Sequence, residues 1–339
     1  MKALRVLLLC GGQSEEHEVS LASARSVLEA SGEQLELTPL VIDRSGHLLS
    51  RQDSLKALTS GETQTENLSV TELPQLDRHR FDIVFPLLHG PFGEDGSVQG
   101  LLRLMGLPHV GAGVLGSAVG MDKLVMKSVF GAHGFPQVGY RGVTRYRWNT
   151  APKQVLEETA RLGFPLFIKP ANLGSSIGIT KAEDEGELQT SLETAFEHDR
   201  RVIVEQGLNT IRELEVAVLG NDAPEVSPVG EIRYDTTFYD YETKYTEGEA
   251  DLIIPAAISK EIEATCQDLS RRAFLAIDCA GLARVDFFYQ QESGEVYLNE
   301  INTIPGFTET SMYPRLWQAA GLSYPDLITK LLELALEPR

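Results

Sequence analysis

The first third of the chain alternates short apolar runs with helical patterns, and this alternation limits the possible folds more than any other feature. Arg5 to Cys10 is a run of β-branched residues and leucines that ends in the pair Gly11-Gly12. A helix is predicted over Val19 to Ala30, and further strands over Leu35 to Ile42 and Phe81 to Leu88. Ser97 to Met105 reads as an amphipathic helix, with Val98, Leu101, Leu102 and Met105 at i, i+3, i+4 and i+7, closed by Gly106 and Pro108. Strands and helices in alternation argue for a parallel sheet with helices on its faces, an α/β unit. The polar stretch between about 43 and 80, which includes Ser60 to Glu66, is expected to be a surface insertion.

The pattern shifts after about residue 112. Met121 to Phe130 is a short predicted helix, stopped by Gly131 and by Gly134 with Pro136. Leu166 to Pro170 and Gly178 to Lys181 read as paired strands around a Gly/Ser turn. Beyond about 211, strands are expected over Leu214 to Leu219, Ala283 to Tyr289 and Val296 to Asn302. One long helix interrupts them, with Ile262, Cys266, Leu269, Ala273 and Ile277 at helical spacing, and a last helix carries Leu327, Ile328, Leu331 and Leu332. The C-terminal half is therefore expected to be α+β, without a repeat of solenoid length. A chain of 339 residues suffices for two or three packed units.

The charge sum, 30 basic against 49 acidic side chains, is −19 with histidine neutral. A field of that sign repels DNA and anionic lipid, so neither nucleic acid nor membrane is expected as a partner. An anionic substrate would need a local cluster of Lys and Arg or a metal ion. The three cysteines (Cys10, Cys266, Cys279) contain no Cys-x-x-Cys and read as small buried hydrophobes. No apolar run approaches the ~18–20 residues of a membrane span. The apolar stretch after Lys2 and Arg5 is too short for a signal peptide. The expectation is a soluble protein of a reducing, cytoplasmic compartment.

Gly111-Ala112-Gly113-Val114-Leu115-Gly116 matches the dinucleotide fingerprint G-x-G-x-x-G, but only Pro108-His109-Val110 precedes it and 131–138 holds no acid. Nicotinamide binding is therefore not expected. The absence of any Gly-Lys dipeptide excludes a Walker A loop, and His17-Glu18 lacks the second histidine of a zincin. In His89 to Ser97, three glycines join a strand end to a helix start, where sheets of this class place ligands. Asp95 and Ser97 read equally well as helix caps, while His89 favours a site role. The loop Asn172 to Gly178 lies between two strands and suits a flap over phosphates. Lys169, inside the apolar strand before it, calls for an anion.

The strongest constellation is C-terminal. Arg284 and Asp286 leave the same face of one strand, and Glu300 and Asn302 the same face of the next, across a turn at Gln291 to Gly294. Two carboxylates and an amide oxygen make a hard-oxygen site suited to Mg²⁺. Thr303-Ile304-Pro305-Gly306 then forces a turn that can present the Gly306 N–H as an oxyanion donor. Phe238 to Tyr245, dense in aromatics and charge, reads either as a lid or as a cross-strand aromatic ladder.

In order, HGPFGEDGSVQG (89–100), GSSIG (174–178), FYDYETKY (238–245), ARVDFF (283–288) and NEINTIPGFTETSMYP (299–314), preceded by GGQSEEHEVS (11–20), resemble the ATP-grasp carboxylate–amine ligases and, within them, the D-alanine–D-alanine ligase family. The resemblance implies an ATP-grasp fold: an N-terminal α/β domain over 1–112, a central ATP-grasp subdomain over 113–210, and a C-terminal one over 211–339 with the metal site and the lid. ATP would lie between the sheets of the last two. By the same resemblance Lys123, Lys169 and Lys244 would bind phosphates, with Gly174, Ser175 and Ser176 in the flap. Glu205 and the Leu208 backbone would read adenine, and Glu213 the ribose. Asp286, Glu300 and Asn302 would hold two Mg²⁺ or Mn²⁺ ions. Glu16 would anchor the first D-alanine's ammonium, with His89 near its carboxylate. Arg284 and Gly306 would stabilise the oxyanion, and Ser311 with the Met312 backbone would hold the second carboxylate. Tyr245, Ser175 and Glu16 would join lid, flap and N-terminal domain.

The implied activity is ATP-dependent joining of two D-alanines through a D-alanyl phosphate, giving ADP and phosphate, for peptidoglycan precursors. It would proceed in a cytoplasmic homodimer. A ligase using D-lactate is the nearest rival, and Tyr245 favours the amine. A two-lobed amino-acid-binding protein would need neither ATP nor the Asp286, Glu300 and Asn302 set.

Overall fold

The computed structural model of the chain describes residues 3–32, 34–60, 79–174, 177–234 and 250–338. It opens with β1 (Leu4–Gly11), α1 (His17–Ala30), β2 (Leu35–Ile42), α2 (Arg51–Ser60), β3 (Ile83–Pro86) and α3 (Ser97–Leu104). The three strands form a parallel sheet in the order β2-β1-β3. Val6, Leu8 and Cys10 enter one core and Leu7 and Leu9 another. Cover on both faces is why β1 is continuously apolar rather than alternating.

The stretch after 43 is only partly what its polarity suggests. Residues 43–60 fold back onto the sheet: Ser54, Ala57 and Leu58 lie one helical turn apart on α2 and are buried, and the Val41 N–H donates to Ser54 Oγ at 3.0 Å. That short apolar spacing was hidden among polar neighbours. The remainder of the predicted insertion, 61–78, lies outside the described residues.

The middle of the chain holds α4 (Val114–Met121), α5 (Lys123–Ala132), β4 (Tyr140–Thr144), α6 (Arg145–Thr150), α7 (Pro152–Ala160), β5 (Leu166–Pro170), β6 (Thr180–Ala182), α8 (Glu185–His198) and β7 (Arg201–Gln206). The strands form an antiparallel sheet in the order β4-β7-β5-β6. Leu166, Ile168, Val202 and Val204 pack on Leu188, Leu192 and Phe196 of α8. The opposite parity, Phe167, Lys169, Ile203 and Glu205, forms the other face of this sheet. The G-x-G-x-x-G segment opens α4, and a side chain at Gly116 would meet the Asp278 carbonyl at 2.8 Å. Gly116 thus permits close backbone packing.

The last part holds β8 (Ile211–Gly220), β9 (Glu225–Val226), β10 (Gly230–Tyr234), β11 (Ala250–Ile253), α9 (Lys260–Ala276), β12 (Gly281–Gln290), β13 (Glu295–Asn302), α10 (Met312–Ala319) and α11 (Tyr324–Ala335). Its sheet runs β11-β10-β8-β12-β13, with β9 on β8. One face carries Leu214, Val216, Val285 and Phe287, and packs on Cys266, Leu269 and Ala273 of α9 and on Met126 and Phe130 of α5. The other face changes character along its length. At one end Ala217, Leu219 and Leu282 join Tyr313, Leu316 and Leu331 of the last two helices and the core of the first sheet. At the other end the same parity reads Glu213, Glu215, Arg284 and Asp286. All three cysteines are buried, as expected.

Candidate active site

The loops after β1 and β3 leave adjacent parallel strands at their C-terminal ends, where such sheets place ligands. Together with the polar faces of the two antiparallel sheets they enclose a cleft of about 1170 Å³. Each expected site residue that lies among the described residues lines this cleft: Glu16, His89, Lys123, Lys169, Gly174, Glu205, Leu208, Glu213, Arg284, Asp286, Glu300, Asn302, Gly306, Ser311 and Met312. Ser175, Ser176, Lys244 and Tyr245, with the Phe238 to Tyr245 segment, lie outside the described residues.

Glu16 ends the loop before α1 and stands between two glycine loops. Gly90 has φ +75°, and a side chain there would lie 2.7 Å from a Glu16 carboxylate oxygen. A side chain at Gly174, from the central part of the chain, would lie 3.1 Å from the same oxygen. Both loops approach this carboxylate closely, and the positive φ at Gly90 is a conformation that favours glycine.

The loop 89–97 also grips the turn that carries Gly306. His89 Nδ1 is 2.9 Å from the Ile304 carbonyl oxygen, and Nε2 is 3.2 Å from Ser23 Oγ. Glu94 accepts the Gly90 N–H at 2.8 Å and the Ile304 N–H at 3.3 Å. Ile304 is thereby held at both its carbonyl and its N–H from the N-terminal sheet. Burial, reinforced by the charge of Glu16, pushes the Glu94 carboxyl up to about 8 despite the backbone donors. Asp95 accepts the Phe92 and Ser97 N–H groups and so braces the loop; the N-cap of α3 is Gly96, and neither Asp95 nor Ser97 caps the helix with its side chain. Just past Gly306, Ser311 Oγ lies 2.7 Å from Thr308 Oγ1. Met312 begins α10, whose first N–H groups have no helical acceptor and favour an anion such as a carboxylate.

One wall of the cleft is the β5–β7 face. Glu205 is 2% exposed and pairs with Lys169 at 2.6 Å and with Lys127 at 2.8 Å. Burial opposes the Glu205 charge, yet the two lysines outweigh it and pull the carboxyl down to about 2. Burial likewise opposes the Lys169 charge, and Glu205, then Glu300 and Glu213, hold its pKa above the ordinary value. Lys123 opens α5 behind the N-cap Asp122 and donates to the Leu173 carbonyl at 2.5 Å, just before the segment expected to form the flap.

The facing wall is β8–β12–β13. Asp286 stands opposite Glu300 on β13 and Glu215 on β8, and a β-bulge follows it. Bulges re-aim side chains next to active sites. Arg284 donates to both Asp286 oxygens at 2.8 and 2.7 Å and lies 3.0 Å from Glu215. Asn302 Nδ2 donates to Asp286 at 2.8 Å. Among the described residues no three His, Cys, Asp or Glu side chains are grouped to hold a metal ion. Asp286, Glu300 and Asn302 together offer two carboxylates and one amide oxygen, a hard-oxygen set that would suit Mg²⁺, whose remaining positions water and phosphate would fill.

Two residues of the cleft lining, Glu94 and Glu215, and one that supports it from the core, Lys127, were not singled out from sequence. Each had a signal. Glu94 sits inside the glycine loop; Lys127 is one helical turn after Lys123 on the same face; Glu215 is two residues after Glu213 on one strand face.

Comparison with known proteins agrees with this geometry. The family model "D-ala D-ala ligase N-terminus" matches residues 5–112 and "D-ala D-ala ligase C-terminus" residues 129–333. A D-alanine–D-alanine ligase of Deinococcus radiodurans is 55% identical over 338 residues, covering 99% of both chains. Among solved structures, VanG D-Ala:D-Ser ligase from Enterococcus faecalis superposes with a TM-score of 0.85 at 37% identity, covering 99% of this chain and 100% of that one. The D-alanine–D-alanine ligase from Coxiella burnetii gives 0.83 at 34% identity, covering 99% and 94%. With two family models spanning nearly its whole length and a relative of this identity, the chain belongs to the D-alanine–D-alanine ligase family, with its ATP-grasp fold.

Proposed function

We propose that the chain joins two D-alanines at the expense of ATP, and that the cleft residues act as follows. The observation that carries this reading is the meeting, in one cleft, of a lysine-rich wall suited to polyphosphate and an acid-rich wall suited to cations.

Glu16 holds the ammonium of the first D-alanine and so orients its carboxylate toward the γ-phosphate. Lys123 and Lys169, with Lys244, hold the phosphates; Glu205 and the Leu208 backbone read adenine, and Glu213 the ribose. Asp286, Glu300 and Asn302 would hold two Mg²⁺ or Mn²⁺ ions, which would screen charge on the phosphates. A carboxylate oxygen attacks γ-phosphorus, the bond to ADP breaks, and an acyl phosphate forms. The amine of the second D-alanine, whose carboxylate rests on Ser311 and the Met312 N–H, then attacks the carbonyl. Arg284 and the Gly306 N–H receive the charge of the tetrahedral oxyanion. Collapse expels phosphate, and the amine proton is lost. The acyl phosphate must be kept from water, which would hydrolyse it; the family resemblance gives that task to the segments 174–178 and 238–245.

The same reading supplies a division into domains at 1–112, 113–210 and 211–339, and a cytoplasmic setting. It also supplies a homodimer. Exposed apolar side chains on α3 and α4, with Leu104 88% and Leu115 59% accessible, support a second copy there. The test of activity is phosphate release with ATP, Mg²⁺ and D-alanine, with product identification by mass spectrometry. D-alanyl-D-alanine is expected, with L-alanine inactive; equal turnover with L-alanine rejects the assignment. D-serine as second substrate is the alternative that the VanG superposition favours, and a D-alanine/D-serine competition decides it.

A further inference from the structure

Lys127 is 1% exposed and lies outside the cleft lining, yet its ammonium reaches Glu205 from beneath at 2.8 Å. It also lies 5.7 Å from the centre of the Tyr140 ring, on the strand position paired with Glu205. A buried lysine is costly unless its charge is answered, and here the answer is a carboxylate that a second lysine already engages. Lys169, on the cleft side, holds the other oxygen of Glu205 at 2.6 Å. Two cations thus share one anion, and the triad carries one positive charge in excess, in a chain whose overall charge is −19.

We propose that Lys127 is a positioning residue for the nucleotide: by neutralising Glu205 from the core side, it leaves Lys169 a net positive charge with which to hold ATP phosphates. Without Lys127, Glu205 and Lys169 close into a one-to-one pair and the lysine's charge is spent on its neighbour. With it, Glu205 still has acceptor capacity toward an adenine amine, since each carboxylate oxygen can accept more than one hydrogen bond. Lys127 therefore lets one carboxylate serve the base without disarming the adjacent phosphate ligand. This rests on the reading of the cleft as an ATP site.

The alternative is that Lys127 only stabilises the fold. Calorimetric titration of ATP with Mg²⁺, and separately of adenosine, distinguishes the two. Lys127→Met should weaken ATP binding by about tenfold to hundredfold, the effect of one charge acting across a few ångströms of protein, and adenosine by less than about threefold. KM for ATP should rise more than kcat falls. The double variant Lys127→Met/Glu205→Gln removes both buried charges of the inner pair and releases Lys169, so it should bind ATP more tightly than Lys127→Met, while its adenosine affinity reports any loss at the adenine contact of Glu205. It also leaves no unpaired buried carboxylate to unfold the protein. Equal loss for ATP and adenosine, no loss for either, or a double variant no better than the single one would overturn the proposal. A wild-type protein that binds no ATP would instead overturn the reading of the cleft.

Discussion

Across the cleft, the wall that carries Lys169 also holds Lys123 and Lys181 beside the carboxylate of Glu205, whereas Arg284 on the facing sheet stands among Glu215, Asp286 and Glu300. The difference separates two tasks. A carboxylate and a γ-phosphate repel each other, so a site that brings them together must oppose both charges. On the proposed reading the lysine wall opposes the phosphates directly. The acid wall would draw positive charge of another kind, metal ions and the amino groups of the substrates, to where the carboxylate is converted. One wall would then hold the donor and the other the acceptor.

Substitutions on the acid wall should break this division most severely. Asp286→Asn is expected to lower turnover by about three orders of magnitude or more, the scale of a lost metal contribution of several kcal/mol. The fold should survive, because Arg284 keeps Glu215 as a partner at 3.0 Å. Turnover measured beside thermal unfolding separates the roles: a large fall in Tm with normal activity per folded molecule would make Asp286 structural. Arg284→Ala should lower kcat by about 10²–10³, the usual cost of one oxyanion donor. A change confined to KM would mean that Arg284 binds ground states only.

Glu94 joins the N-terminal loop to the turn beneath the acid wall. Glu94→Gln leaves one acceptor oxygen where two backbone N–H groups were served. It should lower kcat by up to about tenfold, the scale of one backbone hydrogen bond lost in a buried setting, while leaving KM for ATP close to wild type because the lysine wall is untouched. A rise in that KM as large as the fall in kcat would show that the walls are not separable at this point.

The smallest effect concerns acid stability and belongs to the lysine wall. The Glu205 carboxyl titrates at about 2 when folded against an ordinary 4.5, so the unfolded chain takes up its proton first as pH falls. The stability this group contributes is complete above about 4.5 and is lost as pH drops toward 2. Glu205→Gln should flatten the dependence of unfolding free energy on pH within that window. An unchanged slope would mean that the two lysines do not hold the charge.

Much of this was legible in the sequence where periodicity and chemistry coincide. Polar residues at alternate positions of apolar strands, as in Arg284 with Asp286 and Glu300 with Asn302, name a face as well as a function, and the strands pair in that register. The alternation of strands and helices announced a parallel sheet with helices on its faces, and β1 is buried on both of its faces. What sequence left unsaid were the partners that only tertiary proximity supplies. Lys127 sits on a helix and Glu205 on a strand 78 residues later, so no local pattern links them. The grip of Glu94 on Ile304 spans 210 residues. Helix α2 was missed for another reason: its few buried side chains are outnumbered by polar ones, so its burial depends on the sheet beneath it rather than on its composition.

The most direct measurement of the central claim, that the carboxylate of one D-alanine meets the γ-phosphate between these two walls, uses D-alanine labelled with oxygen-18 in its carboxyl group. Attack by that carboxylate on γ-phosphorus moves one of its oxygens into the phosphate released when the amine displaces it. We expect one labelled oxygen in each phosphate formed during synthesis of the dipeptide, read by mass spectrometry or phosphorus NMR. Unlabelled phosphate accompanying normal dipeptide yield would contradict the account, because the carboxylate would then never have been joined to the phosphoryl group.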